Sequence, residues 1–429
     1  MFGKLLELVP RATIIAILAM AANTGAIQAA DLGGDCCADL EERVAELEAT
    51  TVRKGNRRVS LTLSGFVNEA VLFWDDGFEN NAYIVTNNNA RTRFRFRGNA
   101  KINSDWSAGF YIEIGMRRTN NSEGVNQFEQ DPVGMDVRHQ ALFVKSETFG
   151  TVWLGHTNDS IRDLIEICVA CPLSNQPRGF EIWGGFFVNL GDGIYLSKNL
   201  KELGAGVPFG DGARQNVIRW VSPTWAGFQL SADVGEDDTW SAALRYKSHE
   251  FHGFQIAGGI GYGEFTEEIA KPLERVAGAI SIGHKPSGLY WAFSAGQVTD
   301  NNVGDRDILQ GEAAGFAGDF WWTTVGLGRK WHALGKTTIY GQYGKYAAGD
   351  VGQADVFNAQ TRDVVVSTVT ILDTEYKVWS FGLNQKVDAA ALELYVAYYN
   401  VQGDIDTAER SMLSSDTFHA LMTGARIQF

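Results

Sequence analysis

Apolar and polar residues alternate along most of the chain after Val59. Phe94 and Phe96 alternate with arginines, and the last segment, 418–429, alternates in the same way. Successive side chains of a β-strand point to opposite faces, so a period of two predicts strands with one apolar and one polar face. The chain is therefore predicted to be nearly all β from residue 58 to its last residue.

Sixteen segments carry this alternation, and the connections between them are alternately short and long. The predicted strands lie near 58–74, 91–102, 106–117, 137–146, 151–157, 214–222, 227–235, 239–248, 253–263, 274–284, 289–298, 320–332, 336–346, 374–385, 390–400 and 418–429. Short turns on one side and long loops on the other are typical of an outer-membrane barrel. We therefore predict an all-β fold, a sixteen-stranded antiparallel transmembrane β-barrel, with both chain ends on the short-turn side.

A soluble β-sandwich would also contain alternating strands. Alternation over the whole chain and the aromatic last residue, Phe429, favour the barrel. Tryptophans at predicted strand ends also match the aromatic belt at a membrane–water interface; they are Trp74, Trp106, Trp153, Trp220, Trp225, Trp291, Trp331 and Trp379.

The composition supports strands joined by tight turns. The 429 residues include 48 glycines and only 8 prolines, and 12% are aromatic, which argues against disorder and against collagen. No apolar run past residue 30 approaches the roughly 18 residues that a membrane helix needs, which argues against a helical membrane protein. The net charge of −14 makes nucleic acid an unsuitable partner.

Residues 1–30 are predicted to be a secretory signal peptide. Lys4 and Arg11 precede the apolar run 12–22, and small residues follow at Ala29 and Ala30. The alternative is a first helix of the fold. A signal peptide places the mature chain in an oxidising compartment, where disulfides form.

Two of the four cysteines, Cys168 and Cys171, form a CxxC in a loop, for which we predict a local disulfide. A redox site would need thioredoxin-like βαβ surroundings, and a zinc site would need a second pair of ligands. Neither is evident in the sequence, so no metal site is predicted.

The segment 31–57 is predicted to be periplasmic and to contain a short coiled coil. Leu40, Val44 and Leu47 are separated by steps of four and three, which places them on one helix seam. A helix this short is marginal in water, so we expect it to pack against copies of itself. An ordinary amphipathic cap helix is the alternative.

Arg93, Arg95 and Arg97 lie on one face of a predicted strand. On the lipid face each would cost about 2–4 kcal/mol at mid-bilayer, so the face is predicted to line a water-filled lumen. The long connection near 158–213 carries Asp159, Asp163 and Glu166 close to its start. If this loop folds inward, its acids face the basic wall and create a transverse field. A solvated loop surface is the alternative.

Several runs carry a resemblance to a known family. They are DLGGDCCADLEERVAELEATTVRKGNRRVSLTLSGFVNEAVLFW at 31–74, VRHQALFVKSETFGTVWLGH at 137–156, RWVSPTWAGFQLSADVG at 219–235 and the ending ARIQF. The sequence resembles the alphaproteobacterial, rhizobial-type trimeric outer-membrane porins. This resemblance implies homotrimers in the Gram-negative outer membrane, in contact with lipid and lipopolysaccharide, and passive diffusion of small hydrophilic solutes and ions.

The resemblance also implies roles for particular residues. The third loop would form a constriction, which maps onto 158–213; Arg93, Arg95 and Arg97 would form its basic wall, and Asp159, Asp163 and Glu166 its acidic side. Phe429 would be the signal that the barrel-assembly machinery reads.

Other functions remain open alternatives. A substrate-selective, saturable channel could use Trp183, Phe186 and Phe187 as an aromatic slide. A barrel anchor could tether the outer membrane to peptidoglycan through the coiled coil. His156 lies near Asp159 and Ser160, but no oxyanion motif accompanies them, and no glycine-rich phosphate loop joins a strand to a helix. We therefore predict no catalytic residues and no cofactor.

Overall fold

The computed structural model describes residues 58–116, 121–128, 134–172, 180–266, 273–300, 317–408 and 412–429. The predicted signal peptide and the coiled-coil residues Leu40, Val44 and Leu47 lie outside these residues. The described strands are β1 (Ser60–Asp75), β2 (Asn80–Thr86), β3 (Arg93–Lys101), β4 (Trp106–Met116), β5 (Met135–Ser146), β6 (Gly150–Asn158), β7 (Phe187–Asn189), β8 (Ile194–Asn199), β9 (Arg214–Val221), β10 (Phe228–Gly235), β11 (Trp240–Lys247), β12 (Phe254–Phe265), β13 (Leu273–His284), β14 (Leu289–Asp300), β15 (Gly318–His332), β16 (Gly335–Asn358), β17 (Val364–Val387), β18 (Leu392–Thr407), β19 (Met412–Ser414) and β20 (Phe418–Gln428). One short helix, α1 (Phe180–Trp183), and two 3₁₀ turns (Asn88–Ala90 and Asp388–Ala390) complete the described elements.

Sixteen of these strands form a closed antiparallel barrel, as predicted. Apart from the short strands β2, β7, β8 and β19, each strand pairs with its neighbours along the chain. The first and last strands close the barrel by pairing from Phe66↔Gln428 to Asp75↔His419. In the part of the chain that the structure describes, no helix is long and apolar enough to span a membrane.

The outer face of the barrel is apolar. Leu142, Leu154 and Ile218 stand side by side on β5, β6 and β9, and each is more than half exposed. A soluble protein would bury such a surface, whereas hydrocarbon solvates it. Most of the predicted tryptophan belt is also exposed, but Trp74 is fully buried and Trp153 packs against Phe143 inside the barrel, so the prediction was wrong for these two.

Two strands are much longer than predicted. β16 and β17 have 24 residues each, so most of the segment predicted as the loop 347–373 is a hairpin that extends beyond the barrel. Its register shifts at Gly349/Gly352 and again beside Val356, and these irregularities disturb the period of two in the sequence. The edge of this hairpin is covered by β8, which pairs with Val356–Asn358.

The long loop (159–213) folds into the barrel, and the main hydrophobic core lies between this loop and the wall. Gly259, Gly261 and Gly263 lie on the inner face of β12. Side chains of the loop occupy the space that Cβ atoms at these positions would take. Ile161 and Leu164 insert there and are fully buried. The run GGIGYG at 258–263 thus serves as a packing surface.

Candidate functional site

The beginning of the long loop is fixed by a buried turn. The Asp159 carboxylate accepts hydrogen bonds from the backbone N–H groups of Ile161 (3.0 Å), Arg162 (2.8 Å) and Ala213 (2.5 Å). This side chain is 0% exposed, and burial raises its pKa to about 6, with the charges of Asp233 and Asp211 acting in the same direction. Asp159 therefore ties the two ends of the loop together.

The next part of the loop is attached to the inner wall by hydrogen bonds. Ser294 Oγ donates to the Ile165 carbonyl at 2.7 Å, and the Val169 N–H donates to Ser281 Oγ at 3.1 Å. The predicted disulfide between Cys168 and Cys171 is present and closes a small turn at this point.

The second half of the loop packs against the opposite side of the barrel. Trp183 contacts Tyr399 with ring centroids 5.2 Å apart, and Phe186 lies between Trp74 and Phe418. Trp183 and Phe186 are both 0% exposed. The aromatic-slide hypothesis was therefore wrong for these two residues, because rings that anchor the loop have no surface left for a solute.

Facing the loop, a basic wall is organised around one buried glutamate. Glu113 on β4 is contacted by Arg95 Nε (2.5 Å), Arg138 Nε (2.6 Å) and Arg93 Nη1 (3.2 Å), and Tyr111 Oη donates to it at 2.8 Å. Its side chain is only 3% exposed. The sequence reasoning did not single out Glu113, although its place on the polar face of β4, directly opposite Arg95, was a usable signal.

An aromatic ring supports the same wall. Phe66 on β1 lies beneath the guanidinium groups of Arg93 (4.9 Å from the ring centroid), Arg95 (5.5 Å) and Arg426 (5.3 Å). Such contacts favour a cation over the ring face and restrict where each guanidinium can lie. Arg426 is in turn paired with Glu393 at 2.5 Å.

Wall and loop enclose a cavity of about 370 Å³, which we call the charged cavity. Among the described residues, seven basic and five acidic side chains line it. The basic ones are Arg91, Arg93, Arg95, Arg138, Arg162, Lys201 and Arg214, and the acidic ones are Glu123, Asp136, Asp163, Glu166 and Glu181.

Four residues of the predicted site meet in this cavity: Arg93 and Arg95 from the wall, and Asp163 and Glu166 from the loop. Two do not. Arg97 points into the lumen further toward the short turns, where its guanidinium lies 5.4 Å from the centre of the Phe143 ring, and Asp159 is buried behind the loop. The buried position of Asp159 is explained by its hydrogen bonds, since an aspartate that begins a turn can bind the backbone N–H groups of the next residues.

The arrangement can orient a polar solute. Cations on one side and carboxylates on the other produce a field across the passage, which acts on ions and dipoles. Within the described ranges, no group of three or more histidines, cysteines and carboxylates could hold a metal ion.

A closed barrel with an apolar outer face and a charged interior defines a membrane channel. The model of the Gram-negative porin family matches residues 15–428, so the chain belongs to that family. No curated protein matches its sequence.

Solved structures with the same fold are distant in sequence. An anion-selective porin from Comamonas acidovorans has a TM-score of 0.54 at 14% identity, covering 86% of this chain and 100% of that chain. The outer membrane channel DcaP of Acinetobacter baumannii has a TM-score of 0.51 at 14% identity, covering 88% and 99%. The trimer form of in-vitro folded OmpT from Vibrio cholerae has a TM-score of 0.51 at 13% identity, covering 86% and 99%.

Membership of this family defines the activity. The protein is an outer-membrane channel through which small hydrophilic solutes and ions diffuse passively. The short turns of such a barrel face the periplasm and the longer loops face the exterior.

Proposed function

We propose that the charged cavity is the constriction that decides which solutes pass. The observation that carries this proposal is the meeting of Arg93 and Arg95 with Asp163 and Glu166 around one cavity inside the barrel. Arg93 and Arg95 form the basic side, and Asp163 and Glu166 form the acidic side. Arg97 adds a charge to the lumen further toward the periplasm, outside the cavity, and Asp159 holds the loop in place.

The channel is proposed to be a general one rather than a saturable, substrate-selective one or a closed anchor. Charged side chains line the constriction, whereas Trp183 and Phe186 are fully buried against the barrel and cannot contact a solute. We assign it no catalytic residue and no cofactor. Its precursor is proposed to comprise a signal peptide (1–30), a periplasmic segment (31–57) and the barrel (58–429).

Neutralising part of the basic wall tests the constriction. In the double variant Arg93→Gln/Arg95→Gln, the permeability ratio of cation to anion is expected to rise roughly two- to fivefold, because two charges leave the narrowest part of the path. Glutamine is preferred to glutamate because a carboxylate beside Glu113 would disrupt the wall. The reversal potential of a single channel in a KCl gradient measures the ratio.

Arg97→Gln is the control, since it removes one charge from the same strand outside the charged cavity. A reversal potential that moves no more than twice as far in the double variant as in Arg97→Gln would argue against the constriction.

Conductance with a sugar titration separates the three channel hypotheses. A general channel gives ohmic steps that sugars leave unchanged. Saturable block by one sugar would instead support a selective channel, and absence of conductance would support the anchor.

We further propose the rhizobial-type subfamily and a homotrimer, in which the segment 31–57 contributes a coiled coil. Replacing Leu40, Val44 and Leu47 with serine is expected to lower the temperature at which the trimer dissociates on a gel. Serines at Glu41 and Glu46, which the heptad pattern predicts on the outside of the helix, are the control. An equally heat-stable trimer in both sets would contradict the role of the coil.

A further inference from the structure

A second cavity, of about 510 Å³, lies in the lumen at the periplasmic ends of β10, β11 and β12. We call it the basic cavity. Its described lining contains no aspartate and no glutamate, although the chain has 51 of these residues. The lining residues are Ile167, Thr224, Gly227, Gln229, Arg245, Tyr246, Lys247, Ser248, His249, Ala257 and Gly258.

Arg245 in this cavity is bound only by neutral oxygen atoms. Its Nη1 donates to Ser231 Oγ at 3.1 Å and its Nη2 donates to the Arg162 carbonyl at 2.9 Å. Three other lumen arginines have a carboxylate partner at 2.5–2.8 Å: Arg95 has Glu113, Arg162 has Asp211 and Arg426 has Glu393. The guanidinium of Arg245 is therefore held in position while its charge lacks a contacting carboxylate among the described residues.

Lys247 adds a second charge on the same face of β11, two residues along the strand. Its ammonium makes no ion pair with any residue that the structure describes, and His249 follows in the adjacent turn. Two cations that face one cavity repel each other, and an anion bound between them would offset this repulsion. The cavity thus has the charge, the donors and the volume to hold an anion.

We propose that the basic cavity binds a small divalent oxyanion of the phosphate type. Arg245 offers a planar fork of donors that suits two oxygens of one ligand, and Lys247 supplies a mobile point charge. The amide nitrogen of Gln229, which stands opposite Arg245 on β10, donates one hydrogen to the Ser222 carbonyl at 3.4 Å and has a second hydrogen to offer an anion. An anion that has passed the constriction is then retained at the periplasmic mouth and impedes the passage of chloride, while uncharged solutes still diffuse as through a general channel.

This site is separate from the charged cavity and does not depend on its role. The test is the current of single channels in KCl, with inorganic phosphate added on one side at a time. Phosphate on the periplasmic side should reduce the chloride current in a saturable way. Lys247→Gln should raise the half-blocking phosphate concentration about tenfold, the effect expected from losing one charged hydrogen bond.

A second variant keeps the test independent of any damage from removing a cation. Gln229→Glu places a carboxylate opposite Arg245 as a built-in counter-ion, so phosphate block should disappear. Lys330→Gln is the control, because it removes a charge from an exposed pair with Asp388 on the periplasmic rim. It should leave the phosphate block unchanged.

Three results would overturn the proposal: native channels that phosphate does not block, equal half-blocking concentrations in native protein and both cavity variants, or an equal change in Lys330→Gln. The last would mean that general surface charge, rather than a site, is responsible. A reversal potential in KCl that responds to Arg93→Gln/Arg95→Gln tests only the constriction, so the two proposals can fail separately.

Discussion

At the scale of single residues, Glu113 determines how the basic wall is built. Three arginines side by side would repel one another and turn toward open water. Glu113 holds them in one layer through contacts of 2.5–3.2 Å, and it leaves the group with a net positive charge. The wall therefore has a defined shape and is only partly neutralised.

Glu113→Gln should increase the preference of the channel for anions. The substitution keeps the size of the side chain but removes one negative charge beside the charged cavity, so the permeability ratio of anion to cation should rise roughly two- to fivefold. The reversal potential in a KCl gradient measures this change. Glu147→Gln, in an exposed pair with Lys145, is the control, and an equal shift in both variants would refute the role of Glu113.

Asp159 should make the attachment of the long loop depend on pH. Because burial and the neighbouring Asp211 and Asp233 raise its pKa to about 6, the folded loop binds a proton more readily than the open loop does. Attachment is then strongest below the ordinary aspartate pKa of about 4 and weakens as pH rises through 6. Hydrogen exchange at Ile161 and Arg162, corrected for intrinsic rates, should show greater protection at pH 4.5 than at pH 7.

Asp159→Asn removes the titrating group and should flatten this dependence. If protection at Ile161 and Arg162 varies with pH as much in the Asn variant as in the native protein, another group is responsible.

The sequence predicts where a side chain lies when the free energy of placing it depends mainly on that residue itself. Arg93 and Arg95 are predicted to face the lumen because charges on the lipid face cost too much, and both line the charged cavity. Whether an inward carboxylate lines the path or is buried depends on tertiary contacts. The sequence therefore predicts Asp159 in the cavity, where it is not, and does not show that Glu113 organises the basic wall.

At the scale of strands, aromatic residues that stand opposite glycines hold much of the barrel wall in register. Tyr290 lies over Gly326, Tyr340 over Gly382, Tyr376 over Gly403 and Tyr395 over Gly424, each pair directly cross-strand. A ring laid flat across the neighbouring strand leaves no room for a Cβ. This packing accounts for part of the high glycine content that first indicated strands.

Gly382→Ala should therefore destabilise the barrel. The added Cβ would overlap the Tyr340 ring, and overpacking of this kind costs about 1–3 kcal/mol. The temperature at which the folded band converts to the unfolded band on a gel should fall. Gly341→Ala on the adjacent strand is a close control, because its Cβ would meet nothing nearer than 3.9 Å. Equal temperatures for the two variants would contradict the packing role.

Strand positions were predictable because the membrane enforces a period of two on one face of every strand. The extension of β16 and β17 beyond the barrel was missed, since no membrane constrains that part. The extended part of the hairpin is covered by β8 of the long loop. These segments are more than 150 residues apart in sequence, so no local sequence pattern predicts their contact.

At the scale of the whole molecule, the long loop is joined to several extracellular segments. β8 pairs with the projecting hairpin at Leu196↔Val356, and Thr374 Oγ1 donates to the Leu203 carbonyl at 2.7 Å. Asn189 donates to Asp416 Oδ2 at 3.0 Å. The position of the loop in the lumen is therefore determined by contacts outside the barrel wall as well as inside it.

A disulfide between β8 and the hairpin should reduce the frequency of brief closures of the channel. Cysteines at Leu196 and Val356 occupy a cross-strand pair, a spacing that a disulfide can bridge, in a background with serines at Cys36 and Cys37. Because a disulfide adds about 2–4 kcal/mol to the docked state, brief closures should become at least about tenfold rarer at unchanged conductance and return on reduction. Cysteines at Ala354 and Val369 cross-link the hairpin alone and serve as the control. If both cross-links act alike, or neither acts, the hairpin does not hold the loop, and the inner-wall contacts of Ile165 and Val169 are sufficient.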